Sequence, residues 1–69
     1  MTIFEAYVNG QLHPSVTRRG IIFRCELYAL FIEARKEMKY EEAIYMVAEK
    51  KSASPHTVEA AIRTAKKPV

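Results

Sequence analysis

The stretch from residue 47 to 62, V-A-E-K-K-S-A-S-P-H-T-V-E-A-A-I, constrains this chain more than any other, because it reads as helix, polar break, helix. The break is Ser52 to Ser54. A new helix opens at Pro55, and its apolar residues Val58, Ala61, Ile62 and Ala65 fall at i, i+3, i+4 and i+7, the signature of one buried face. Ser54 is placed to cap this helix through its hydroxyl, and Pro55 then takes the first helical position, where its missing N–H costs nothing. On the preceding helix, Ala48 is small enough to let the two helices close on each other.

Burying one face leaves the other free. That face carries His56, Thr57, Glu59, Ala60, Arg63, Thr64 and Lys67, a mixture of donors, acceptors and cations suited to base edges and phosphates. Charge points the same way. The chain has a net charge of +3, and from Glu49 onward Lys50, Lys51, Arg63, Lys66 and Lys67 stand against Glu49 and Glu59, so this segment carries the whole of it and the upstream residues sum to zero. Cations gathered around one helix are what phosphate neutralisation requires. For Lys66 and Lys67 the alternative is that they complement a helix C-terminal dipole and solvate a frayed tail.

These residues resemble the helix-turn-helix superfamily of bacterial and phage regulators. The second helix, S-P-H-T-V-E-A-A-I-R-T-A, is similar over about a dozen residues to the recognition helix of sporulation response-regulator effector domains. The resemblance implies Ala48 as the small packing residue, Val58 and Ile62 as core, and Ser54, His56, Thr57, Glu59 and Arg63 as candidate DNA contacts, to which the charge distribution adds Lys50, Lys51, Lys66 and Lys67. It also implies a regulator of transcription that binds double-stranded DNA. One departure stands out: the family usually has glycine in the turn, where a left-handed backbone is needed, and this chain has Ser52, which adopts that conformation only at a steric cost. A longer or differently shaped turn is the alternative.

Upstream the pattern is also helical. Asn9-Gly10 suits a tight hairpin turn, but the strand after it would be the poor Gln11-Leu12-His13-Pro14. Thr2 and Glu5 instead make a capping box, and Ile3, Phe4, Tyr7 and Val8 share one face of a short helix closed at Asn9 or Gly10. His13, Pro14 and Ser15 break the chain before a long helix that starts between residues 14 and 18, or only at Gly20, and runs to about Met38. Ile21, Cys25, Tyr28 and Ile32 form one stripe on it, and Leu27, Phe31, Ala34 and Met38 an adjacent one. Arg18 and Arg19 precede it as exposed cations. A third helix over about 40–51 has Glu41 and Glu42 in its first turn and Lys50 and Lys51 in its last, both complementing the dipole, with Tyr40, Ala43, Ile44, Val47 and Ala48 as its apolar face. The fourth spans 55–66. The expected fold is an all-α bundle of about four helices forming a single domain over residues 1–69.

Sixty-nine residues give a core only marginally sufficient for independent folding, so a second copy would supply buried area. A lone cysteine, Cys25, excludes an internal disulfide framework, sits in an apolar stripe as a buried residue, and fits a reducing cytoplasm. The chain starts without a basic signal-peptide region, and Arg24, Glu26 and Glu33 interrupt its longest apolar run, which excludes a membrane span. His13 and His56 lack partners at metal-ligand spacing, no glycine-rich phosphate loop exists, and aspartate is absent, so neither an enzyme nor a metal or cofactor site is expected. The rival to DNA binding is a protein-binding adaptor or inhibitor. It would act through the aromatic-rich long helix together with Arg18 and Arg19, since the four Tyr and three Phe of the chain exceed what a minimal bundle needs.

Overall fold

The computed structural model describes residues 1–12 and 19–69, with Arg19 described by its backbone alone. The expected break at His13, Pro14 and Ser15, any helical start before residue 19, and the exposure of Arg18 and Arg19 lie outside the described residues. Within them the chain forms four helices: α1 (Ile3–Val8), α2 (Arg19–Arg35), α3 (Tyr40–Lys50) and α4 (Pro55–Ala65).

Helix α1 forms because both of its ends are chemically closed. The Glu5 amide donates to Thr2 Oγ1 at 3.1 Å while the Thr2 amide donates to Glu5 Oε1 at 2.8 Å, so two orphan donors of the first turn are satisfied reciprocally. At the other end Gly10 takes φ +67, and the Gly10 and Gln11 amides donate back to the Tyr7 and Ala6 carbonyls. The hairpin alternative at Asn9-Gly10 is thereby excluded: the glycine ends a helix. Ala6 is fully buried, and Phe4 meets Tyr28 edge-on at 4.8 Å, which seats α1 on α2.

Helix α2 is the central element. Cys25, Leu27, Phe31 and Ala34 are buried, with Tyr28, Leu30 and Ile32 half-buried beside them. It packs most extensively on α4 and next on α3. Both expected stripes are thus largely covered within the chain, and among the described residues Phe23 is the large apolar side chain that α2 leaves exposed. The helix ends at Arg35 rather than near Met38. The Glu37 and Met38 amides turn back onto the Ala34 carbonyl, and Arg35 donates from Nη1 to the Met38 carbonyl at 2.8 Å. Met38 still packs on the core, but from the turn.

The interface of α3 with α4 is built from small side chains. Ala43, Ala48 and Ala61 are at most 4% exposed and share one buried cluster with Ile44, Val47, Val58 and Ile62. Tyr40 departs from its expected place on the buried face: it is 46% exposed, with its ring edge on Phe31 at 5.3 Å. The C-terminus is also not frayed. Ile3 donates to the Lys67 carbonyl at 2.9 Å and Val69 to the Met1 carbonyl at 3.0 Å, pairing Thr2 with Pro68 in a single antiparallel bridge. Two chain ends that each lack a partner satisfy one another.

Candidate nucleic-acid interface

The turn after α3 determines where α4 points. Lys51 closes α3, Ser52 follows at φ +53, and Ala53 returns into the bundle half-buried. The Ser52 amide donates to the Glu49 carbonyl at 3.2 Å and the Ala53 amide to the Ala48 carbonyl at 2.8 Å. This pair of bonds is the Schellman arrangement, whose left-handed position normally takes glycine. Serine carries the strain that the sequence implied, and no longer turn is used.

Ser54 then resets the backbone to an extended conformation and caps α4. Its Oγ accepts from the Thr57 amide at 3.1 Å and lies 2.9 Å from Thr57 Oγ1. The two hydroxyls are therefore mutually tied in the cap; the face that Ser54 and Thr57 offer outward is a fixed pair, not two independent side chains.

Along α4, Val58, Ala61, Ile62 and Ala65 are buried, and His56, Thr57 and Arg63 are exposed, with Glu59 and Ala60 half-buried at the margins. Lys50 and Lys51 are exposed at the C-terminal end of α3, and Lys66 and Lys67 are exposed just past the C-terminal end of α4. The structure thus brings His56 and Arg63 onto one open face, with exposed lysines before α4 in the chain and after it. Thr64 does not join that face as its spacing implied: it is only 8% exposed, on the flank of α4 that meets α2.

Its hydroxyl explains the position of a residue that spacing alone does not single out. Arg24 of α2 donates from Nη1 to Thr64 Oγ1 at 3.1 Å, across 40 residues of sequence, while its side chain remains exposed. One N–H of the guanidinium is used, and the rest of the fork faces solvent along the flank of α4. The signal is present in the sequence as a cation interrupting the apolar run of α2, but its register against α4 follows only from the packing.

The opposite flank of α4 has a different character. A groove of about 210 Å³ opens there between α3 and α4, lined by Tyr40, Glu41, Ile44, Tyr45, Pro55 and Glu59. Tyr45 is 63% exposed. The open face of α4 is therefore cationic past its C-terminal end and along its α2 side, and acidic and aromatic along its α3 side.

Burial raises the Cys25 thiol above its ordinary pKa, which makes it a poor nucleophile as well as an inaccessible one. Among the described residues no three His, Cys, Asp or Glu side chains cluster as a metal site, and no helix is long and apolar enough to cross a membrane. No protein-family model, curated protein or solved structure matches the chain.

Proposed function

We propose that α3, the 51–54 turn and α4 act as a helix-turn-helix that binds double-stranded DNA with α4 in the major groove, as a small transcriptional regulator of phage, plasmid or bacterial type. The observation that supports this best is the division of α4 into a buried stripe and an exposed face with His56 and Arg63, with Lys50 and Lys51 exposed before it in the chain and Lys66 and Lys67 after it. Packing alone calls for neither an exposed Arg63 on α4 nor four exposed lysines, two before that helix and two after it. In this reading Arg63 donates to guanine and Glu59 accepts from cytosine N4, while Lys50 and Lys51 neutralise phosphates. The tied Ser54 and Thr57 hydroxyls fix the first turn of α4, which carries His56. Arg24, held by Thr64, adds a phosphate contact on the α2 flank.

A module of this size gains specificity by pairing, with two copies reading half-sites about 34 Å apart. The experiment that tests the assignment selects a preferred duplex from a random pool and compares two variants on it. Arg63→Ala should lose about 1–3 kcal/mol on that duplex and relax one base preference, whereas Lys50→Ala should weaken selected and random duplexes alike. Equal, sequence-independent losses from both remove Arg63 from base reading, and absence of any selected duplex removes the proposal.

A further inference from the structure

The groove between α3 and α4 has a composition of which the DNA reading uses only Glu59. It is lined by Ile44, which is 3% exposed, by Pro55, by two tyrosines, Tyr40 and Tyr45, and by two acidic residues, Glu41 and Glu59. The chain as a whole is basic, with a net charge of +3, so an acidic, aromatic concavity on its surface is complementary to a cation. Among the described residues the one ion pair joins Glu33 of α2 to Lys36 just past its end, so no described lysine or arginine pairs with either groove carboxylate. Tyr40 is a fixed wall, because its ring edge rests on buried Phe31. Tyr45 is the open one.

We propose that this groove is a docking site for a basic segment of a partner protein, with an arginine side chain seated between the two tyrosine rings. An arginine matches each feature at once. Its planar guanidinium stacks on aromatic faces, its aliphatic stem covers the apolar lining, and its fork donates to carboxylates on either side. Phosphate, by contrast, is repelled by the same two carboxylates, so the groove does not extend the cationic surface used for duplex. Because Glu59 belongs to both the groove and the reading face, a partner seated in the groove covers one flank of α4. That consequence rests on the DNA reading; the groove itself does not.

The test is an amide-shift titration of the whole chain, without DNA, so that its result is independent of duplex binding. The probe is the blocked peptide Gly-Arg-Gly, and Gly-Gln-Gly is the neutral control. The expected result is saturable shifts in the millimolar range at Tyr40, Glu41, Tyr45 and Glu59, absent with the glutamine peptide. Tyr45→Ala and Glu59→Gln, both at exposed or half-exposed positions and so compatible with folding, should each weaken the arginine peptide about three- to tenfold. Shifts spread over Glu26, Glu33 and Glu37 as much as over the groove, or unchanged in both variants, overturn the proposal. So does appearance of the same groove shifts on concentrating the chain alone, which assigns the groove to a second copy.

Discussion

Ser52→Gly should make the protein more stable, although it removes a side chain and adds freedom to the unfolded chain. At φ +53 a non-glycine residue has its Cβ crowded against the backbone at a cost of about 1–2 kcal/mol, which glycine does not incur. Against this, glycine loses about 0.5–1 kcal/mol through the greater entropy of its unfolded state. Ser52 is exposed and its side chain makes no hydrogen bond among the described residues, so no burial or bonding is lost. The net gain is about 0.5–1 kcal/mol, which for a domain of this size raises Tm by roughly 2–8 °C. Thermal and urea unfolding followed by circular dichroism would read it, with Ser52→Val as the opposing control, since a branched side chain worsens the same crowding. A glycine variant that is less stable than the parent by the entropic term alone would show that residue 52 is not left-handed, and the direction that this turn imposes on α4 would fall with it.

Two further outcomes follow from the same packing and capping. Ile62, 4% exposed in the core that α4 shares with α2 and α3, should cost about 2–5 kcal/mol when cut to alanine, and an unchanged unfolding midpoint would mean that the helix phase is wrong. Glu5 has its pKa held below the ordinary 4.5, chiefly by the backbone hydrogen bond from Thr2, so it contributes stability above its unfolded pKa that is lost as pH falls through its folded value; Glu5→Gln should flatten the acid limb of the stability profile, and identical limbs in parent and variant would refute the role of the capping box.

Much of this architecture is legible in the sequence because it is local. The capping box at Thr2 and Glu5, the cap at Ser54, the first-turn proline at Pro55 and the i, i+3, i+4 stripe of α4 are all matters of spacing within a dozen residues, and each lies where the spacing puts it. What is not legible depends on partners far apart in sequence. Thr64 follows the pattern of an open face, yet α2 crosses over it and Arg24 claims its hydroxyl. Tyr40 follows the apolar stripe of α3, but it begins that helix, where the bundle no longer covers it. Lys66 and Lys67 look like a solvated tail until the N-terminus supplies a strand-like partner for the backbone around them. The groove, likewise, exists only because α3 supplies Glu41 and Ile44 and α4 supplies Glu59 to one concavity.

Duplex binding by the exposed face of α4 and its surrounding cations is tested most directly by titrating a fluorescent duplex at several salt concentrations. Arg24, Lys50, Lys51, Arg63, Lys66 and Lys67 surround the face, and each phosphate neutralised contributes about −0.9 to the slope of log affinity against log salt. With most but not all of these cations reaching a backbone, the expected result is binding at low salt with a slope of roughly −3 to −5. Absence of binding at low salt, or an affinity indifferent to salt, would contradict it.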